Sequence, residues 1–157
     1  MTKANQYDDP TFNYQDYWEG RDYENAAEEL ALNMLLGKKV FKTAADIGGG
    51  FGRLAKLLRS YAKQVTVVEP SKQQRDRGKV FTKDVKGVDF RDGQGDKLPF
   101  KDGELDLVTM IRVMHHLPDP TPTFAELSRV LAKDGTLILE VANSLHFKSR
   151  IKAAAKL

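Results

Sequence analysis

Strand-like and helix-like stretches alternate along this chain. The alternation predicts an α/β fold, a parallel sheet with helices on both faces and right-handed crossovers. Three observations carry the prediction. Runs such as Gln64-Val65-Thr66-Val67-Val68-Glu69 are short, β-branched and apolar, as strands buried on both faces are. Helical patterns separate these runs. At the end of the first predicted strand stands Thr43-Ala44-Ala45-Asp46-Ile47-Gly48-Gly49-Gly50-Phe51-Gly52-Arg53, in which an acid and a glycine turn lead straight into a helical pattern.

The elements follow in order. The first 20 residues hold Tyr7, Phe12, Tyr14, Tyr17 and Trp18 among acids, broken by Pro10 and Gly20. So many aromatics argue against disorder and predict a segment docked on the domain. A helix is expected from Arg21 to Leu36, with Tyr23, Ala26, Ala27, Leu30 and Met34 near helical spacing and Gly37 as its stop. Residues 1–38 are therefore set apart as an aromatic segment plus helix, and 39–157 as the main domain. Val40 to Ile47 reads as the first strand, and Phe51 to Leu58 as a helix with Leu54, Leu57 and Leu58 on its apolar face. Gln64 to Glu69 is the second strand. Pro70-Ser71 closes it, and Ser71 is a fitting N-cap for a basic helix from Lys72 to Phe81. Val88 to Arg91 is the third strand, and Asp92 to Gly103, with its glycines and Pro99, is loop. Leu105 to Ile111 is the fourth strand. Pro118, Pro120 and Pro122 mark the entry to a helix from Thr123 to Leu131 that Asp134-Gly135 stops. Thr136 to Val141 is the fifth strand, and Ser144 to Leu157 reads as a basic amphipathic helix.

Composition narrows the function classes. A chain of 157 residues buries one substantial core. Its net charge of +3 is too mild to call for nucleic acid or an anionic membrane. The basic run Lys72, Arg75, Arg77, Lys79, Lys83 and Lys86 is interrupted by Asp76 and Asp84 and has no interleaved aromatics, so a solvated face is expected there. With no cysteine, disulfides, thiol nucleophiles and cysteine metal sites are excluded, and three histidines, two of them adjacent, imply no metal. No apolar run has the length of a membrane span and the start lacks a signal-peptide core, so a cytoplasmic, membrane-free protein is expected.

The glycine stretch suits a nucleoside-bearing cofactor, because glycines let backbone approach a ligand and the following helix aims free N–H groups at it. Two cofactor readings fit. Gly50-Phe51-Gly52-Arg53-Leu54-Ala55 matches the dinucleotide fingerprint G-x-G-x-x-A, with Glu69 downstream for a ribose, as in a nicotinamide-dependent oxidoreductase. Alternatively, Asp46 inside the strand end would repel a pyrophosphate but match a ligand with an amino group. A tight turn that binds nothing is the bland reading of the same residues.

Beyond this stretch, the chain resembles the class I S-adenosylmethionine-dependent methyltransferases, in particular the methyltransferase type 11 domain, over about Lys39 to Val141. The carriers are Ala45 to Gly52, Val67-Val68-Glu69-Pro70-Ser71, Gly95-Asp96-Lys97-Leu98-Pro99-Phe100, Leu105-Asp106-Leu107-Val108, Val113-Met114-His115-His116-Leu117 and Glu126 to Thr136, in the family's order. The resemblance implies a Rossmann-like sheet of about five strands in the order 3-2-1-4-5. It implies S-adenosylmethionine as cofactor, a small-molecule methyl acceptor, and in-line methyl transfer. It puts Gly48, Gly49, Gly50 and Gly52 against the cofactor, Asp46 at its amino-acid end, and Glu69, followed by Pro70, on the ribose hydroxyls. Gln94 stands where the family usually has an Asp for the adenine amino group, and Gly95 offers a backbone N–H to that ring. Met110 and Ile111 lie near the transferring methyl. His115 and His116 are candidate bases, against the blander reading that they fix the turn by hydrogen bonds.

Two further expectations concern the ends. Arg21, with Tyr14, Tyr17, Trp18 and Tyr23, forms either a lid, Arg21 pairing with the cofactor carboxylate, or a docked helix with aromatics in its seam. The family usually has a sixth and seventh strand walling the acceptor pocket, and this chain ends before them. That leaves a non-catalytic domain binding the cofactor or a partner as the alternative function, and a homodimer as one way to cover the edge of the fifth strand.

Overall fold

The computed structural model describes residues 7, 9, 11, 14–141 and 143. Phe12, Pro10 and the helix expected over 144–157 lie outside the described residues. The elements are α1 (Asp22–Leu36), β1 (Phe41–Ile47), α2 (Ala55–Arg59), β2 (Ala62–Val68), α3 (Lys72–Phe81), β3 (Val88–Arg91), β4 (Leu105–Met110), α4 (Thr121–Val130) and β5 (Leu131–Leu139). Short 3-10 turns occupy Asp16–Trp18 and Met114–His116. The five strands form one sheet in the order β3-β2-β1-β4-β5, and every neighbouring pair is parallel.

Residue alternation along the strands splits the core in two. Ala44, Val65 and Leu107 point to the face covered by Leu32 and Leu36 of α1 and Leu54 and Leu58 beside and within α2. Ala45, Ile47, Val108 and Met110 point to the other face, where Leu127 and Val130 of α4 pack. The sheet is thus wound on both sides, as the alternation predicts. Gly78 lets α3 lie close to β3, since a Cβ there would fall 2.3 Å from Phe90.

The differences from the sequence reading have local causes. α2 starts at Ala55, not Phe51, because residues 51–54 turn tightly, with Gly52 at φ 76° and its N–H donating to Gly49. α4 begins two residues early, with Pro122 in its first turn, and ends at Val130. Leu131 already pairs with Leu105, so β5 starts there. Asp134-Gly135 falls within the strand, in the stretch that shifts its register against β4, and does not stop the helix. α1 shows the largest difference. Leu32 and Leu36 are its buried residues, whereas Tyr23, Leu30 and Met34 are 85%, 61% and 76% exposed. The expected apolar stripe faces outward.

Candidate cofactor site

The site begins where β1 ends. Asp46 is buried, and its Oδ1 accepts a hydrogen bond of 2.7 Å from Thr109 Oγ1 on β4. Burial pushes its carboxyl up to about 6, against the opposing effects of the Thr109 hydrogen bond and the positive charge of Arg53. Gly48 and Gly50 take left-handed backbone, with φ of 69° and 56°. A Cβ on Gly49 would lie 2.5 Å from Asp46 Oδ2, so only glycine lets the turn close over the carboxylate.

β2 delivers the second acid. Glu69 is buried, its Oε2 accepting from the Gly50 N–H at 3.0 Å and its Oε1 from the Ser71 N–H at 2.9 Å. It therefore ties the glycine turn to the start of α3, where Ser71 caps the helix by accepting from Gln74 N. Pro70 beside it is exposed.

β4 closes the third side. Met110 is fully buried, and Ile111 is half-buried beside the cavity. Arg112 follows with φ 61°, a conformation that side-chain-bearing residues rarely adopt. Its Nε donates to Glu28 Oε1 at 2.5 Å. Burial works against its charge, but the Glu28 carboxylate outweighs that and holds the guanidinium above its ordinary value. Arg53, from the glycine stretch, donates to the other oxygen of Glu28 at 2.5 Å and also to Asn25. Trp18 lies between the two guanidiniums, with Arg53 3.8 Å and Arg112 4.9 Å from its ring centroid.

Tyr14, Asp46, Gly48, Gly49, Arg53, Leu54, Ile111 and Arg112 line one cavity of about 30 Å³. That volume suits a water, so a larger ligand enters only when the aromatic cover moves. The cover is Tyr14, packed on Phe51 and stacked on Tyr17 at 13° between ring planes, with Tyr7 set edge-on to Tyr14. Tyr7 Oη and His116 Nε2 share a hydrogen bond of 3.3 Å, and Ser71 Oγ donates to Tyr7 O.

The structure thus brings Asp46, Gly48, Gly49 and Ile111 to one cavity and ties Gly50 to Glu69. Gly52 packs beneath, since a Cβ there would meet Phe90 at 2.8 Å. Gln94 is exposed, its carbonyl accepting from the Lys97 N–H, and Gly95 lies against Thr123. Glu126 holds this loop by accepting from Leu98 N at 2.8 Å, and Arg129 brings its carboxyl down to about 2. Arg21 is not at the cavity: its guanidinium lies 4.1 Å from the Tyr17 centroid and pairs with Glu24. His115 is exposed, and His116 is the half-buried partner of Tyr7. Sequence reasoning missed Glu28, Arg53 and Arg112. For Glu28 a signal existed: this acid shares the helix face of Leu32, which a purely solvated acid would not.

An acid and two guanidiniums thus surround one small cavity, beside a glycine turn and a second acid, in an α/β domain. A family model described as a methyltransferase domain, type 11, matches residues 45–139, and the chain belongs to this family of class I S-adenosylmethionine-dependent methyltransferases. It is 32% identical over 96 residues to an uncharacterized methyltransferase, YcgJ, of Bacillus subtilis, covering 60% of this chain and 38% of that protein. It is 30% identical over 128 residues to a cycloartenol-C-24-methyltransferase of Oryza sativa subsp. japonica, 77% of this chain and 37% of that one. Among solved structures, a methyltransferase from Thermotoga maritima superposes with a TM-score of 0.74 at 26% identity, over 91% of this chain and 63% of that one. The chain thus spans well under half the length of these two curated relatives. Among the described residues there is no cluster of three metal-ligating acids or histidines, and no helix long and apolar enough to cross a membrane.

Proposed function

We propose that this chain binds S-adenosylmethionine at the carboxyl ends of β1 and β2 and directs methyl transfer to a small-molecule acceptor. The observation that carries the reading is the donor set of the cavity. Asp46 matches an ammonium, and Arg53 or Arg112, released from Glu28, matches a carboxylate. That pairing suits the amino-acid end of this cofactor, and the Asp46 carboxylate would repel a pyrophosphate. Glu69, whose oxygens accept from the Gly50 and Ser71 N–H groups, is the acid offered to the ribose hydroxyls.

When bound, the cofactor supplies an already activated methyl group. The protein's share is to bind, to orient and to exclude water. The glycine turn and Glu69 are fixed by backbone hydrogen bonds and orient. Tyr14, Tyr17 and Trp18 act as a lid that keeps water from the site once closed. His116 holds Tyr7, and through it the lid, which favours the turn-fixing reading of the histidine pair over a base. Gly95 and Gln94 sit on a loop braced by Glu126 and contribute the base-binding wall.

Calorimetric titration with S-adenosylmethionine, S-adenosylhomocysteine and NAD tests this. Binding of the first two and not the third is expected. Binding of NAD alone, or of none at millimolar concentration, overturns the reading. Methyl release to an added acceptor separates a catalyst from a domain that only binds.

A further inference from the structure

Helix α1 has two unlike faces. Asn25, Glu28, Leu32 and Leu36 turn inward to the arginines and the sheet. Tyr23, Ala27, Leu30 and Met34 turn outward and are exposed. The outward four are spaced 4-3-4, the seam of a helix that packs on another helix, with alanine near the middle permitting close approach. The charges at the two ends of this stripe are opposite. Glu19 and Asp22 flank its start, Lys38 and Lys39 its end, all four are exposed, and none is in an ion pair among the described residues.

We propose that α1 is the contact of a homodimer in which two copies pack their α1 helices antiparallel along this stripe. Two-fold pairing sets Tyr23 of one copy against Met34 of the other and Ala27 against Leu30, so the stripe is self-complementary. The same operation brings Lys38 and Lys39 of each copy to Glu19 and Asp22 of the other. A parallel pairing would set like charges together, and a second copy shifted along the stripe would draw the opposite charges apart. One helix pair buries less than a standard interface of about 1,600 Å², so a dissociation constant on the order of ten micromolar or above is expected.

Sedimentation velocity on the full chain, from about 1 to several hundred micromolar, reads this equilibrium. A monomer–dimer transition is expected. Leu30→Glu, or Met34→Lys should the first variant fold poorly, weakens dimerisation by roughly thirtyfold or more with an unchanged circular dichroism spectrum. Lys38→Glu with Lys39→Glu weakens it, and adding Glu19→Lys and Asp22→Lys to that chain restores it. A monomer throughout overturns the proposal. So does a dimer indifferent to Leu30→Glu, which would lie elsewhere, for example along the outer edge of β5. Failure of the reversed charges to restore pairing overturns the antiparallel arrangement.

Discussion

The floor and the roof of the candidate site are held by different means. The floor is β1, the glycine turn and the start of α3. Gly48 N donates to Val68 O, Gly50 N to Glu69, and Gly52 N to Gly49 O, so backbone hydrogen bonds fix its shape. The roof is Tyr14, Tyr17 and Trp18, tied through the two arginines to Glu28 of α1. It rests on ring contacts and on one carboxylate, Glu28, shared by two arginines. A floor set by backbone cannot relax without unfolding. A roof set by side chains can leave and return at a cost of a few hydrogen bonds. On the proposed function, a cavity that holds only about a water admits the cofactor by moving this roof over a floor that stays fixed.

Breaking the floor has the largest expected effect. Gly52→Ala puts a Cβ at φ 76° and within 2.8 Å of Phe90. It should cost about 2–4 kcal/mol in urea unfolding and abolish cofactor binding. A loss under about 0.5 kcal/mol would show that the turn is soft.

Asp46 sharpens the same point, because its burial opposes its charge. Its value in the folded chain, about 6, lies above the ordinary 3.8, so the unfolded chain gives up this proton more readily. Its stability contribution is therefore complete below about pH 4 and is lost as pH rises to about 6, by about 3 kcal/mol at 1.36 kcal/mol per pH unit. Asp46→Asn should remove this slope and raise stability at pH 7 by about 1–3 kcal/mol. The same variant should weaken cofactor binding by about 1–3 kcal/mol, and wild-type affinity should rise with pH through about 6. Thermal melts and titrations across pH check both halves. A variant that loses stability at pH 7 would mean that the carboxylate serves the fold rather than the ligand.

The floor was legible in the sequence, whereas of the roof only its aromatics were and the contacts that hold it were not. Backbone geometry leaves its mark in residue type. Gly48, Gly50 and Gly52 carry the positive φ values, Ser71 caps α3, and the β-branched runs are the central strands. The strand order follows from the family, and the register then follows from the two faces of each strand. The roof depends on contacts between residues far apart in the chain, such as Glu28 with Arg112, and spacing can mark Glu28 as inward-facing without naming that partner. The outward stripe of α1 misleads for a related reason: periodicity shows that a helix has an apolar face but not which neighbour covers it. The fifth strand began five residues early because Leu131 pairs with Leu105, a tertiary contact that overrode the Asp134-Gly135 turn signal.

The roof is tested at Glu28. Glu28→Gln keeps the shape, removes the charge match with Arg53 and Arg112, and sets an NH2 group against one of the two guanidiniums. Local opening of the aromatic segment should become easier by about 1–2 kcal/mol, with global stability nearly unchanged. Trp18 is the sole tryptophan, so its fluorescence reports the change directly: emission should shift to the red and quenching by iodide should rise. If global unfolding moves by the full amount instead, roof and floor are one cooperative unit and the division fails.

The smallest effect is expected at Tyr7. Its hydroxyl meets His116 Nε2 at 3.3 Å, a long hydrogen bond, while its carbonyl keeps the Ser71 hydroxyl whatever the side chain. Burial, followed by the neighbouring Tyr14 and Glu69, holds the Tyr7 hydroxyl above its ordinary value, so it stays protonated across the neutral range. Tyr7→Phe therefore removes one neutral hydrogen bond and should cost under about 1 kcal/mol. Cofactor affinity should stay within about twofold, because the ring contact with Tyr14 survives. A tenfold loss in calorimetry would mean that the hydroxyl meets the ligand itself, and Tyr7 would then belong to the floor.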